Sequence, residues 1–398
     1  MHVRARDAAR LAWCTMAPSR TPPDGGTTRS SGDPARETPP VSVFLTVRDE
    51  ELHLADALAQ VLAQDYEGTF EVVLAVGPSR DRTREIADAV AARDPRLRVV
   101  ENPSGLTPSG LNIAIAHARH GLLVRVDGHS EVAPDYLRRV VGVLQATGAA
   151  NVGGRMVPVG RTPFEAAVAW AMSSPLGIGA ASFHTGGAAG PAPTVYLGAF
   201  RRDALERVGG YDEHFVRAQD WELNHRLREV GEVVWFDPEI AVTYRPRGDV
   251  RALARQFFRT GQWRRQVVRR YPQTAGLRYL AAPAAVVGMA AGTVAAAVGA
   301  AAGPRWLLAG VAVPVGYVCA VVVGAVVTSR GIDRAVRVRL PGVIATMHVA
   351  WGAGFLRGVG RGTGSPASVV AYPGPAASSR PAESSAADEG TDREPAKD

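Results

Sequence analysis

Four short, nearly continuous apolar runs punctuate the first third of the chain: Val41–Val47, Glu71–Val76, Leu97–Val100 and Leu122–Val126. Runs of this length without strict alternation predict strands buried on both faces. Between them the apolar positions recur at helical spacing. Leu52, Leu54, Ala55, Leu58, Val61 and Leu62 line one face, Arg84–Ala92 predicts a second helix, and Thr107–Ala118 a third opened by Pro108. Strands alternating with helices of this size predict an α/β fold with a largely parallel sheet and helices on both faces. The fourth run ends on Asp127-Gly128-His129. Open α/β sheets place ligands beyond the carboxyl ends of their strands, so the polar residues there are the first candidates for chemistry.

Periodicity weakens between Gly148 and Gly210, where Gly, Ala and Pro accumulate. That stretch reads either as an acceptor-binding region or as a flexible linker. Thr194–Phe200 predicts a strand, Gly209–Phe215 a turn, Asp220–Glu229 a helix that Asp220 itself is placed to cap, and Glu232–Phe236 a late strand. From Tyr279 the pattern changes again. Tyr279–Gly303 and Trp306–Thr328 carry no charge, and each reaches the roughly 20 residues needed to cross a bilayer. A third run, Leu340–Leu356, is shorter and glycine-rich. It fits a third span, a re-entrant hairpin or an interfacial helix. Residues 1–40 and 362–398 are rich in Pro, Gly, Ser, Thr and Ala without periodicity and read as disordered tails. The apolar patch Leu11–Ala17 is too short for a signal-peptide core, so no secretion through this end is expected. The expected organisation is therefore a tail (1–40), a catalytic domain (41–270), a membrane region of two or three helices (279–357) and a second tail (362–398).

Charge sharpens this division. The 398-residue chain has a formal net charge of +7 and is 46% hydrophobic, and Lys397 is its only lysine. The arginines concentrate at Arg245–Arg278 and Arg330–Arg339, flanking the apolar runs, while Arg305 alone separates them. This is the distribution of a membrane protein's cytoplasmic face more than of a nucleic-acid groove, so no nucleic-acid partner is expected. Positive-inside reasoning puts the catalytic region and the Arg330–Arg339 loop in the cytoplasm, with the protein multi-pass in the cell membrane. Cys14 and Cys319 form no metal spacing and no expected disulfide.

Three constellations carry candidate chemistry. The strand ends supply Thr46, Arg48 and Glu50, then Gly77, Ser79 and Asp81, then Asn112 and Asp127 with His129. Converging on one sheet edge, they form a cradle for a nucleotide diphosphate. Asp127 and His129 are placed to share one divalent ion, Mg²⁺ or Mn²⁺; the plainer reading is a strand closing in a hydrogen-bonded turn. Asp220, about 90 residues after Asp127, begins a helix and suits a general base accepting a proton from a sugar hydroxyl. Arg255–Arg265 mixes aromatics with arginines just before the first apolar run, which suits either lipid phosphates or a substrate diphosphate. No Gly-x-Gly-x-x-Gly follows the first strand, which removes support for a dinucleotide-binding dehydrogenase. No lysine-bearing glycine-rich phosphate loop is present either, as a nucleotidyltransferase on a similar sheet would need.

Taken in order, Arg48-Asp-Glu-Glu51, Ser79-x-Asp-x-Thr83, Gly110-Leu-Asn-Ile113, Arg125-Val-Asp-Gly-His129, Val195–Arg202, Gly209-Gly-Tyr-Asp-Glu213 and Gln219-Asp-Trp-Glu-Leu223 resemble the family 2 inverting glycosyltransferases, especially the succinoglycan-biosynthesis, ExoA-like branch. Trp351-Gly-Ala-Gly-Phe355 is similar to that branch's membrane end. The resemblance spans roughly residues 41–356. It implies a GT-A fold, a Rossmann-like mixed sheet of the nucleotide-diphospho-sugar transferases, followed by C-terminal transmembrane helices. It further implies transfer of a sugar from a nucleotide-diphosphate donor, with a divalent metal, to a lipid-linked or polysaccharide acceptor. Asp127 then matches the metal and diphosphate carboxylate and Asp220 the catalytic base. Thr46, Glu50 and the Gly77 loop line the nucleotide, and Gln219, Gln256 and Arg259 lie on the acceptor or diphosphate side. The chain departs from the family pattern at several points. The metal motif is Asp-Gly-His, Val76-Gly77 replaces an aspartate that holds the base, Gln219 replaces a glutamate, and Thr260 follows Gln256-x-x-Arg259 where processive synthases carry tryptophan. The expected activity is that of an inverting transferase in exopolysaccharide or cell-envelope glycan synthesis. A non-catalytic sugar-nucleotide-binding protein and a processive synthase are the alternatives.

Overall fold

The computed structural model describes residues 38–179, 181–301 and 303–360. The two tails read as disordered lie outside these, apart from residues 38–40. Up to β4 the chain alternates as the apolar pattern predicts: β1 (Val41–Val47), α1 (Leu54–Leu62), β2 (Phe70–Val76), α2 (Thr83–Ala91), β3 (Leu97–Glu101), α3 (Thr107–His117) and β4 (Leu122–Arg125); β5 (Glu131–Val132) and α4 (Tyr136–Thr147), for which the pattern gave no expectation, follow. Leu52 is an exception. It falls in the turn before α1 and is 80% exposed rather than on the helix's apolar face.

The weakly periodic stretch is ordered. It folds as β6 (Asn151–Pro158), α5 (Pro163–Met172), α6 (Pro175–Ile178), α7 (Ser182–Thr185), β7 (Gly190–Pro191), β8 (Tyr196–Arg201) and α8 (Arg202–Arg207). The linker reading is thereby overturned. Its apolar spacing was obscured because short helices and an antiparallel strand follow one another at close intervals. α9 (Gln219–Glu229), β9 (Val234–Tyr244) and the 21-residue α10 (Val250–Arg270) complete the sheet domain.

The nine strands form one sheet in the order β3-β2-β1-β4-β8-β6-β9-β5, with β7 paired to β9. The first four are mutually parallel. β8 then runs antiparallel to both β4 and β6, which makes the sheet mixed rather than largely parallel. Apolar side chains from β1, β2 and β4 pack on α1 and α4 on one face, and on α3, α8 and α9 on the other. Two glycines let α3 and the turn after β4 close onto β1. A Cβ on Gly110 would stand 2.1 Å from Thr46 Oγ1 and 2.5 Å from Asn102 Nδ2, and one on Gly128 would stand 2.4 Å from Val47 Cγ1. Gly110→Ala should therefore cost about 1–3 kcal/mol through overpacking. Its thermal unfolding midpoint will fall clearly below wild type; an unchanged midpoint would show that α3 shifts freely.

Beyond α10 lie α11 (Leu277–Ala301), a 3-10 segment (Arg305–Val311), α12 (Ala312–Thr328), α13 (Arg334–Arg337) and α14 (Leu340–Arg357). Tyr279–Ala301 and Arg305–Thr328 are long and apolar enough to cross a membrane, and both are largely exposed. The third apolar run behaves differently. α14 buries Leu340, Val343, Ile344 and Met347 in a core shared with α5 and α10. Close backbone approach seals it: a Cβ on Gly354 would stand 1.9 Å from the Phe258 carbonyl, and one on Gly261 2.1 Å from that of Trp351.

Candidate functional site

β4 delivers Arg125 into the interior at the carboxyl edge of the sheet. Its side chain is only 3% exposed. Nη2 donates to Asp127 Oδ1 at 2.9 Å, and Nη1 donates to Asp220 Oδ1. One guanidinium thus joins two carboxylates from segments 93 residues apart, each about a quarter exposed (25% and 28%). Asp127 sits in a turn closed by Ser130 N–H donating to its carbonyl at 3.0 Å. The turn foreseen for this motif is present, but Asp127's carboxylate faces Arg125.

Asp220 lies in the first turn of α9 and does not cap it. The N-cap is Ala218 at φ 61°, and no side-chain cap hydrogen bond forms there among the described residues. The carboxylate turns to Arg125 because a buried guanidinium needs its charge matched more than a half-buried helix end needs a cap.

The two carboxyls are driven apart. Burial pushes Asp127 up, but the charges of Arg125 and His129 outweigh it and hold the group below the usual aspartate value. Burial, reinforced by Asp127's charge, keeps Asp220 above that value despite Arg125. Neighbouring carboxyls with opposed shifts are suited to different roles, one a fixed anion and the other a proton acceptor.

Around this pair the strand-end loops interlock. Asp49 N–H donates to Ser79 Oγ (3.2 Å), Glu50 N–H to Thr83 Oγ1 (2.7 Å) and Glu51 N–H to Asp81 Oδ2 (3.0 Å). Arg80 N–H donates back to Asp49 Oδ1 at 2.8 Å. Ser79 and Asp81 therefore hold two loops together, with Asp81 kept below the usual value by its hydrogen bond from Thr83. A Cβ on Gly77 would lie 3.0 Å from Gly105 Cα, so this loop passes close to the next one. Arg48 pairs with Asp49 at 3.6 Å. Glu50 meets His129 Nδ1 at 3.2 Å, and that contact leads the causes that raise the imidazole above its ordinary value.

Other candidates turn away from the carboxylates. Thr46 Oγ1 donates to the Ala75 carbonyl at 2.9 Å under α3. The Asn112 amide exchanges hydrogen bonds with the Tyr211 backbone at 2.8 and 2.9 Å and reaches Glu213, clamping the Gly209–Glu213 turn. Gln256 accepts from Arg247 Nε at 3.1 Å and donates to the Tyr244 hydroxyl at 3.0 Å. Gln219 opens α9 beside Asp220. Arg259 joins Arg247 and Arg217 on a basic rim, where burial and the charges of those two neighbours hold the Arg217 guanidinium below its usual value. Arg247's charge also reaches His129.

Sequence reasoning assigned no role to Arg125, Arg217 or Arg247. For Arg125 a signal existed: a lone arginine inside a buried apolar strand demands anionic partners. Among the described residues no three His, Cys, Asp or Glu side chains converge at metal-binding spacing. The Asp127 carboxylate fits one oxygen ligand of a Mg²⁺-type ion whose other ligands are substrate phosphates and water; the His129 imidazole, drawn to Glu50 and raised above its ordinary value, stands beside such an ion rather than on it.

Comparison with known proteins decides the family. Residues 42–209 match Glycosyl transferase family 2. The chain is 35% identical over 294 residues to the succinoglycan biosynthesis protein ExoA of Rhizobium meliloti (strain 1021), covering 72% of this chain and 84% of that protein. The chain belongs to glycosyl transferase family 2. A shorter match, 30% identical over 132 residues, joins this transferase to the uncharacterized protein y4gI of Sinorhizobium fredii, with 32% of this chain and 14% of that protein covered. Among solved structures, the mannosyltransferase PcManGT from Pyrobaculum calidifontis, in complex with GDP-Man and Mn²⁺, superimposes with a TM-score of 0.53 at 21% identity. That alignment covers 81% of the transferase and 87% of PcManGT, and it shows a shared GT-A-like mixed α/β fold.

Proposed function

We propose that this family 2 glycosyltransferase is a membrane-anchored inverting enzyme that moves one sugar from a nucleotide diphosphate to a hydroxyl of a lipid-linked or polysaccharide acceptor. The reading rests above all on the Asp127–Arg125–Asp220 arrangement, two carboxyls of opposed proton affinity at the ligand-binding edge of the sheet. Asp220 takes the proton from the acceptor hydroxyl as its oxygen attacks the anomeric carbon. The bond from that carbon to the diphosphate oxygen breaks on the opposite face, and the configuration inverts. Arg125 keeps Asp220 in place while the proton moves. Asp127, with His129 beside it, would hold the divalent ion, which would supply neutralisation of the charge on the departing diphosphate. The interlocked loops at Arg48–Glu51 and Gly77–Thr83 border the nucleotide, and the rim of Arg217, Arg247 and Arg259 faces its phosphates or those of the acceptor.

Two apolar helices flanked by arginines support membrane anchoring with the sheet domain on the cytoplasmic side. The 35% identity to a succinoglycan biosynthesis protein supports a role in making an envelope or exported polysaccharide.

Asp127→Ala tests the donor side. With UDP, GDP and dTDP titrated against the full chain with and without Mn²⁺, wild type should bind one of them in a metal-dependent way. The variant should bind it roughly tenfold or more weakly, the range seen when a metal site loses a supporting group. Metal-independent binding, equal in both proteins, would contradict this assignment.

A further inference from the structure

The first turn of α9 carries Asp220, yet it is not held by its own helix end. Ala218 sits in the left-handed region at φ 61°, and such a conformation persists in a residue with a Cβ only when surrounding contacts impose it. α10 supplies part of them: its Trp263 and Val267 share an apolar cluster with Phe215, Ala218 and Trp221, and further contacts brace the rest of the turn. Glu222, fully buried, accepts from Tyr271 Oη at 2.7 Å and from Arg226 twice, both at 2.7 Å. Trp221, adjacent to Asp220, stacks on His225 with ring centroids 5.3 Å apart and takes the Arg264 guanidinium 4.4 Å from its ring centre. The same guanidinium lies 3.7 Å from the ring centre of Tyr279, where the first apolar span begins. Arg264 is 7% exposed and donates from Nη2 to the Thr274 carbonyl at 2.8 Å. The stack continues through Tyr279–Trp351 (6.5 Å, 22°) to Trp351–Phe355 (5.4 Å, 17°) on α14.

We propose that Arg264 is a positioning residue: in contact with the rings of both Trp221 and Tyr279, it fixes the turn that carries Asp220 and makes its placement depend on the docking of α11 and α14. The proposal rests on Asp220 being the base. Guanidinium is the side-chain cation suited to the place, being planar, always charged and weakly hydrated, so it stacks on two rings where an ammonium does not. A shift of the turn by a fraction of a residue's length leaves the nucleotide loops untouched but misaligns the proton acceptor. The signature is therefore a loss in turnover without a loss in donor binding.

The test uses the full chain in phospholipid nanodiscs, with Arg264→Met, Arg264→Lys, Tyr279→Leu and Tyr279→Phe. Sugar transfer is followed from labelled UDP-, GDP- and dTDP-sugars, and amide hydrogen exchange is followed at residues 219–223. Arg264→Met and Tyr279→Leu should lower kcat roughly 10–100-fold, with KM for the donor within about twofold. Exchange at residues 219–223 should rise about tenfold while β1 and β2 stay protected. Tyr279→Phe, which keeps the ring face, should retain clearly more turnover than Tyr279→Leu, and Arg264→Lys should retain more than Arg264→Met. Should Arg264→Met fail to accumulate, the two Tyr279 variants decide alone. Unchanged exchange, unchanged kcat, or an equal loss of donor binding and turnover would overturn the proposal. A wild-type protein that transfers no sugar would instead overturn the base assignment, and the exchange measurement would still decide whether Arg264 holds the turn.

Discussion

Asp220→Asn should lower the rate of sugar transfer by about 10²–10⁴, the usual contribution of a positioned general base. The amide nearly matches the carboxylate in shape and can still accept from Arg125, so the turn and the fold should persist. What disappears is the capacity to take a proton. Nucleoside diphosphate binding should stay within about twofold of wild type, because the proposed donor side consists of Asp127 and the strand-end loops. In wild type, burial and the nearby Asp127 charge hold Asp220 above the ordinary aspartate value. As the proposed base, Asp220 works ionised, so turnover should be full above that raised value and fall as pH drops through it. The acid limb should therefore lie above the usual aspartate range. A variant that turns over normally would remove Asp220 from the chemistry.

Arg125→Met should produce the largest loss of stability, about 3–5 kcal/mol, the range for breaking a buried ion pair by removing one partner. The substitution keeps an apolar stem of similar length at a position 3% exposed, but it leaves Asp127 and Asp220 facing each other without their shared cation. Protonation of Asp220 is the molecule's escape, since a neutral carboxyl needs no counter-charge. The deficit in thermal midpoint should therefore shrink as pH is lowered toward the ordinary carboxylate range. Combining the change with Asp220→Asn should restore part of the stability, an interaction a double-mutant cycle reads directly. A deficit independent of pH and additive with Asp220→Asn would show that Arg125 acts through packing alone.

Much of the parallel half of the sheet was legible because β1, β2 and β4 are buried on both faces and so read as unbroken apolar runs. The other half was less so. β8 inserts antiparallel between β4 and β6, and no local pattern reports a pairing between residues 122–124 and 199–201. Leu52 shows the limit of periodicity at an element's edge, where a turn residue falls on the helical phase without joining the helix. At the site, Asp127 and Asp220 stood out because carboxylates at a strand end and a helix start are chemically conspicuous. Their common partner Arg125 signalled only a need for some anion, as a lone arginine in an apolar strand; that Asp220 meets it was not legible, because an ion pair spanning 95 residues leaves no trace in spacing. Asn112 shows the converse case. It lies in a motif that follows the family order, yet its amide is spent on the Tyr211 backbone.

The measurement that bears most directly on the whole account is sugar transfer in isolated membranes containing the full chain. Labelled UDP-, GDP- and dTDP-sugars are supplied with Mg²⁺ or Mn²⁺, and label is followed into the lipid-extractable and polymer fractions, with Asp220→Asn membranes alongside. The account predicts metal-dependent incorporation from one donor class, abolished in the variant. Incorporation equal in wild type and Asp220→Asn, or none from any donor despite metal-dependent nucleotide binding, would contradict it.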